Sequence, residues 1–477
     1  MIKELKRLVS FSLGTWINFS LSFLFAPIST FLLSPAEYGK YALFILVQTL
    51  LTYLFTVGMD QVLVRFYHQE KMEPERLLIS CILPIFGSFV IVGSVLLLLN
   101  RELNFFITND HATNYSLCTL LAIISLLASL NNIGTSHLRM QKAGLKFSIL
   151  QVTTSLINYG VFFCYLLFIE RTFQAFLIGS IVSLSIQLLI IYGRFIKVQQ
   201  FILKVRPSQL MLKQALIFGL PFVPTFLLDF LFSSSDRFFL RYFGNLEDMG
   251  IYSLALRISY AFTILQSGFH IYWVPYSMER FHKNEHDKKF YSETFSILNF
   301  LILILITAAV IGKPVLKGLI DEKFYPAIAF FPFLLFVPYF YTLSEVSFVG
   351  INFKNKTHYH LIINLITLAF NALFAFLLIQ KWGSSGAAMS AAATYGIFFI
   401  LRSWFANKLY PLFLDWKPFA VSFLCVVLFV LSDFFFSMNF WLKILLGMAI
   451  GMVLLFLYRN YLIFFVGRFK KKANGED

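Results

Sequence analysis

The residues with the strongest claim to chemistry lie between positions 229 and 257. Asp229, Ser233 and Asp236 recur at helical spacing, Arg237 and Arg241 stand four apart, and Arg257 follows in the next apolar stretch. Residues four apart share one face of a helix. Ser253, Arg257, Tyr260 and Ser267 form a stripe within a sector of about 80° on the helical wheel. Guanidinium groups grip phosphate oxygens in bidentate pairs, so this cluster suits an anionic group, most naturally a phosphate. The same residues also suit a lock, in which Arg237 or Arg257 pairs with Asp229 or Asp236 and ties two helices together.

Milder polar groups recur elsewhere. Gln48, Thr52, Thr56 and Asp60 follow one another at intervals of four, with Arg65 and His68 just beyond, and Thr15, Asn18 and Ser22 lie in the first apolar stretch. Gln151, Thr154 and Asn158 have the spacing of Asn364, Thr367 and Asn371. Hydroxyls and amides facing one cavity suit a sugar chain, which needs many modest hydrogen bonds, and they suit helix-to-helix packing equally well. Glu345 and His270 are titratable groups in apolar surroundings, candidates for proton or ion coupling or for a satisfied structural role. His282-Lys-Asn-Glu285-His286 matches an H-x-x-E-H zinc-protease pattern. It stands among Arg280, Lys283, Asp287, Lys288 and Lys289 and reads as a solvated charge run. No phosphate-cradling glycine loop occurs, and no cofactor or metal is expected. Transport would draw on an H+ or Na+ gradient, the substrate's own gradient or removal of product.

The elements that must position these groups follow from composition. The 477 residues are 58% hydrophobic and only 13% charged, against about 45–50% and 25% in soluble proteins. Such a chain is not disordered, not a disulfide scaffold and not an ordinary soluble enzyme. A bilayer core of about 30 Å takes roughly 20 apolar residues per helix. Fourteen such stretches run from residue 8 to residue 458, among them 214–242, 250–273, 327–350, 359–379 and 384–404. The expected fold is an all-α polytopic membrane protein of about 14 transmembrane helices.

The net charge of +15 reflects topology. With the N-terminus inside, 28 of the 39 Lys and Arg fall on one side and eight on the other, a positive-inside bias that puts both termini in the cytoplasm and needs no nucleic acid to explain it. Cys81, Cys118, Cys164 and Cys425 all fall in apolar runs without a pairing pattern and read as small core residues.

An internal repeat organises the spans. Glu37-Tyr-Gly39-Lys-Tyr41-Ala-Leu43 corresponds to Asp248-Met-Gly250-Ile-Tyr252-Ser-Leu254 at an offset of 211, and the stripe ending in Asn158 corresponds to the one ending in Asn371 at 213. Six spans separate equivalents, so the repeat is parallel, as in transporters with a cleft between two halves. The expected division is a six-helix half over 1–193, a basic cytoplasmic linker over 194–213, a second six-helix half over 214–410, and two further helices with a basic tail over 411–477.

Ser-Ser-Ser-Asp236-Arg237-Phe-Phe-Leu followed by Asn-Leu-Glu-Asp-Met-Gly250-Ile-Tyr252 resembles the seventh-to-eighth helix signature of Wzx-type polysaccharide flippases. These belong to the multidrug/oligosaccharidyl-lipid/polysaccharide exporter superfamily. Pro35-Ala-Glu-Tyr-Gly39-Lys-Tyr41 and Trp382-Gly383-Ser-Ser-Gly386-Ala-Ala388 are similar to the family's equivalent stretches. The resemblance implies a non-enzymatic flippase of a bacterial cytoplasmic (inner) membrane. Its substrate would be an undecaprenyl-pyrophosphate-linked oligosaccharide, moved by alternating access through a cationic cavity that Arg257 and Arg237 would line. Membrane lipids, a polysaccharide polymerase and chain-length machinery are the partners it implies. The rival readings are a drug or metabolite antiporter of the same superfamily and a membrane glycan polymerase. A polymerase needs a large outer loop, and the stretches at 100–114 and 313–326 are short.

Overall fold

The computed structural model describes residues 2–69, 74–196, 209–284, 287–354, 356, 358–412 and 414–473. Among them there is no strand, and the helices in chain order are α1 (Ile2–Leu32), α2 (Pro35–Thr56), α3 (Met59–Phe66), α4 (Pro74–Leu98), α5 (Asn100–Thr108), α6 (Tyr115–Met140), α7 (Gly144–Phe168), α8 (Gln174–Leu188), α9 (Gln209–Gly219), α10 (Phe222–Phe243), α11 (Leu246–Lys283), α12 (Lys288–Ile311), α13 (Lys313–Lys317), α14 (Tyr325–Ser347), α15 (Val349–Phe353), α16 (His358–Leu409), α17 (Trp416–Phe436) and α18 (Phe440–Ala473). The chain is an all-α polytopic membrane protein. Twelve helical stretches among the described residues are long and apolar enough to cross a membrane. One of them, α16, has 52 residues, about 78 Å at 1.5 Å per residue and more than twice the bilayer core. Gly383, at φ 52° and ψ −129°, breaks it, so it supplies the two spans expected at 359–379 and 384–404. The remaining expected span is α11, whose apolar run is diluted by Arg257, Gln266 and His270.

The helices form two compact units. Unit 1 holds Met1–Arg237 with Asn245–Gly250, and unit 2 holds Phe238–Gly244 with Ile251–Asp477. Of the expected linker, residues 197–208 lie outside the described residues. Arg194 closes a π-helical turn that prolongs α8 (Leu189–Phe195), and α9 already begins at Gln209.

In unit 1, Ser34 caps α2 by accepting from the Glu37 amide (3.3 Å), and Asn245 accepts from the Asp248 amide at the start of α11 (2.8 Å). These caps satisfy amides that a helix start leaves without partners, and they stand at the repeat offset. Five residues on from each cap, Gly39 and Gly250 meet. A Cβ on Gly39 would strike the carbonyl of Leu246, and one on Gly250 the carbonyl of Pro35. Both positions need glycine because two helix backbones touch there. The Glu37 carboxylate completes the corner, binding Lys40 Nζ (2.6 Å) and accepting from the Phe173 amide (2.7 Å).

The two asparagines that end the corresponding stripes each bond a hydroxyl on the span that follows. Asn158 on α7 donates to Ser183 Oγ on α8 (3.2 Å) in unit 1, and Asn371 donates to Thr394 Oγ1 across the two arms of α16 (3.2 Å) in unit 2.

Unit 2 carries two buried polar clusters that hold α17 and α18. Asn299 on α12 donates to Ser422 (3.1 Å) and Tyr458 (2.5 Å) and accepts from Tyr339 (2.6 Å). Asp433 on α17 pairs with Lys313 and Lys443 at 2.7 Å each, and Lys313 also reaches the Ala329 carbonyl (2.7 Å). Burial holds the Lys313 ammonium below the usual lysine range, with the Asp433 carboxylate opposing that shift.

Two sequence expectations change. The stripe Gln48–Thr52–Thr56–Asp60 is not one helix face, because α2 ends at Thr56 and both Val57 (φ 51°) and Gly58 (φ 68°) are left-handed. Asp60 therefore starts α3 out of register with the others. Of the cysteines, Cys81 and Cys118 are buried, but Cys164 is exposed and Cys425 half-buried, as suits small side chains facing lipid.

Replacing Gly250 by Ala should force two backbones apart, costing about 1–3 kcal/mol as overpacking does. A thermal melt of the purified protein should fall by several degrees. Gly93→Ala, where a Cβ meets nothing within 4 Å, should leave it unchanged.

Candidate functional site

The expected cationic cluster is distributed over both units. Asp229, Asp236 and Arg237 belong to unit 1, and Arg241 and Arg257 to unit 2. Asp229 is exposed, Asp236 buried, and the three arginines half-buried. Arg237 donates to Ser234 Oγ (3.1 Å) and the Ser233 carbonyl (3.3 Å), one turn back on its own helix. On α11, Ser253 and Arg257 are half-buried and Tyr260 is exposed, so the stripe lies at a surface of unit 2. The Ser267 side chain, like Glu285 and His286 of the H-x-x-E-H run, lies outside the described residues.

Several members of the amide and hydroxyl stripes are engaged within the bundle, while side-chain oxygens of Asn18, Gln48, Gln151 and Asn371 are buried without a hydrogen-bond partner among the described residues. Thr52, Thr56, Thr154 and Thr367 each donate to the carbonyl four residues back, the back-bonding habit of hydroxyls in apolar helices. Asn158 and Asn371 spend their amide N–H on neighbouring helices, as described above. Asp60 accepts from Gln61 Nε2 (2.8 Å), and its other oxygen is buried without a hydrogen-bond partner among the described residues.

The densest chemistry lies elsewhere, where α11, α14 and α16 meet in unit 2. Glu345 and His270, singled out separately in the sequence, are partners: His270 Nδ1 lies 2.9 Å from Glu345 Oε2. The other oxygen, Oε1, accepts from Arg402 Nη1 at 2.9 Å, and the same nitrogen reaches Ser344 Oγ at 2.6 Å. Trp273 Nε1 donates to the Glu345 carbonyl (2.9 Å), and Ser347 and Ser403 share a hydrogen bond at 2.7 Å. The Arg402 guanidinium lies over Phe348 (3.7 Å to the centroid), Phe398 (4.8 Å) and Tyr341 (5.6 Å). Ring faces and a carboxylate together replace the water a buried guanidinium has lost. An apolar cavity of about 310 Å³ adjoins the cluster; Gln266 and Thr342, one turn before His270 and Glu345, are in its wall.

Sequence reasoning missed Arg402. Two residues from the end of the expected span 384–404, an arginine reads as a membrane-surface anchor. The available signal was Glu345, whose burial in lipid demands a cation.

The repeat offers an internal comparison. At the offset of 211, Glu345 corresponds to Gly134 and Arg402 to Ile191. In unit 1 these two pack directly, with Ile191 Cγ2 2.6 Å from where a Gly134 Cβ would stand. The corresponding positions thus carry no charge, and the helices are also joined there by hydrogen bonds from Asn131 Nδ2 to the Leu184 carbonyl (3.0 Å) and from the Tyr192 hydroxyl to the Leu130 carbonyl (2.7 Å).

The family model described as "Polysaccharide biosynthesis protein" matches residues 5–277. The chain belongs to that family. Among solved structures it is similar to a lipid II flippase MurJ in an inward closed conformation, with TM-score 0.68 and 16% identity over 95% of this chain and 99% of that one. It is also similar to an inward-facing multidrug resistance MATE transporter of the MOP superfamily, at TM-score 0.56 and 17% identity over 84% and 97%. A MATE protein in a straight conformation gives 0.55 and 18% over 84% and 95%. At such identities these likenesses speak for the fold. No curated protein matches the chain.

Removing Arg402 strands a buried carboxylate, which costs about 3–5 kcal/mol. Arg402→Met should therefore lower the yield of folded protein sharply. The double change Arg402→Met with Glu345→Met, judged by size-exclusion profile and melting temperature, should restore most of it.

Proposed function

We propose that this protein is a flippase of the cytoplasmic membrane of a bacterium, carrying an undecaprenyl-pyrophosphate-linked oligosaccharide from the cytoplasmic to the outer leaflet for surface polysaccharide synthesis. Membership of the polysaccharide biosynthesis family over residues 5–277 carries this reading. The likeness of fold to a protein named as a lipid II flippase, along 95% of the chain, supports it.

In this reading both termini are cytoplasmic, in keeping with the bias of Lys and Arg between loops. Arg257, Arg237 and Arg241 offer charge to the pyrophosphate as it moves, and Asp229 and Asp236 moderate that charge so that binding stays reversible. A division into two compact units and the parallel repeat read from the sequence both suit alternating access. A polymerase or chain-length protein would receive the product at the outer face.

The test is the sidedness of lipid-linked oligosaccharide after depletion, read with a membrane-impermeant sugar probe on spheroplasts. Accumulation hidden from the probe is the expected result. Glycan already exposed outside would move the assignment to a later step, such as polymerisation. Arg257→Ala should reduce export at least tenfold with the protein still inserted, and Arg257→Lys should recover part of it. Normal export by Arg257→Ala would place the phosphate elsewhere.

A further inference from the structure

We propose that the cluster of Glu345, His270 and Arg402 is a proton-binding site that couples transport to a pH gradient, with His270 as the group that takes up the proton and Arg402 as the positioning residue. The inference rests on the flippase reading for its cargo and on the cluster alone for its chemistry.

Each partner has a distinct part. Oε1 of Glu345 receives a hydrogen bond from Arg402 Nη1 at 2.9 Å, the geometry of a buried guanidinium–carboxylate pair. An ionised carboxylate has only acceptors, so the 2.9 Å contact with His270 requires that Nδ1 of the imidazole carry hydrogen. Nε2 is then the lone pair open to a proton. The His270 side chain is 46% exposed, while Glu345 is 1% and Arg402 7% exposed. Two members are sealed and the third is partly exposed. Imidazole is also the side chain that ordinarily changes charge between about pH 5 and 8.

The surrounding titratable groups leave that part to His270. On α14, Tyr341 lies beneath the Arg402 guanidinium. On α16, His360 packs against Phe348 and is close enough to feel both Arg402 and Glu345. From α12, Tyr291 reaches the ring of Trp273 and donates to the Ser277 carbonyl (3.0 Å). None of these comes between His270 and the carboxylate.

A sodium ion does not suit this arrangement. Hard cations take several oxygen ligands, yet both Glu345 oxygens are engaged by N–H donors and a guanidinium stands beside them. The corresponding positions of unit 1, Gly134 and Ile191, carry no charge, and neutral hydrogen bonds from Asn131 and Tyr192 join the helices beside them.

Protonation at Nε2 turns the His270–Glu345 hydrogen bond into an ion pair and tightens the hold of α14 on α11. Five residues further on, Pro275 lies inside α11, where a proline removes a backbone hydrogen bond and leaves the helix readier to bend. Arg257 is on the same helix, so the latch and the cationic stripe share one mechanical element.

Two measurements test this. Purified protein without substrate, taken from pH 8 to pH 5 with a pH-indicator dye, should absorb about one proton more than His270→Gln. Equal uptake would overturn the proposal. Proteoliposomes of wild type, loaded with lipid-linked oligosaccharide, should flip it at least tenfold faster under an imposed pH gradient and show no response to a sodium gradient. His270→Gln, whose amide can still donate to Glu345, should keep only the ungraded rate. Sodium stimulation of wild type, or an undiminished response to pH in His270→Gln, would overturn the proposal without any appeal to mutant folding. Proton uptake that depends on His270, in a protein that flips no lipid-linked oligosaccharide, would uphold the site and overturn the cargo.

Discussion

A guanidinium taken out of water keeps its charge, and everything around Arg402 is arranged to meet that demand. Glu345 neutralises it, Ser344 takes a second hydrogen bond from the same nitrogen, and three aromatic rings close over the planar cation. Once the Glu345 carboxylate is committed to Arg402 on one side, its other oxygen must also find a donor, and α11 supplies His270. A single buried charge thereby fixes the approach of α11, α14 and α16. The corresponding positions of the other unit, Gly134 and Ile191, carry no charge, so the buried ion pair is a feature of unit 2 and not of the repeat.

Polar groups elsewhere in the bundle follow the opposite logic. Threonine hydroxyls return to their own backbones, and asparagines bridge to neighbouring helices. With no water in a bilayer core, each such group either finds a protein partner or is left at a cost of several kcal/mol. Some members of the stripes are spent this way, whereas side-chain oxygens of Gln48, Gln151 and Asn371 are buried without a partner among the described residues. The half-buried Ser253 and Arg257 and the exposed Tyr260 on α11 differ, because they remain at a surface of their unit.

Much of the fold is legible in the sequence because lipid imposes a length and a composition on every span. Fourteen apolar runs find helices, and the Gly39 and Gly250 motifs mark the place where two backbones touch. What the sequence conceals depends on contacts between distant residues or on single dihedral angles. Val57 turns left-handed and removes Asp60 from the face of Thr52 and Thr56, which no periodicity reveals. His270 and Glu345 each stand out as a titratable residue in apolar surroundings, but 75 positions separate them and their pairing is a tertiary fact. Arg402 is disguised by its position, since arginines near the ends of spans usually reach water.

The lysine at position 313 leads to a question of timing. Its carboxylate partner, Asp433, lies 120 residues later in the chain. At a synthesis rate of about 5–20 residues per second, roughly 6–24 seconds pass between the emergence of the two. Throughout that interval the ammonium lacks its Asp433 partner and has only nearer groups, such as the Ala329 carbonyl 16 residues on, to turn to. Asn299 and Tyr339 likewise await Ser422 and Tyr458. α17 and α18 thus bring the partners of groups made much earlier, and a nascent chain that stalls before α17 would present quality-control proteases with a cation lacking its carboxylate and an open polar seam.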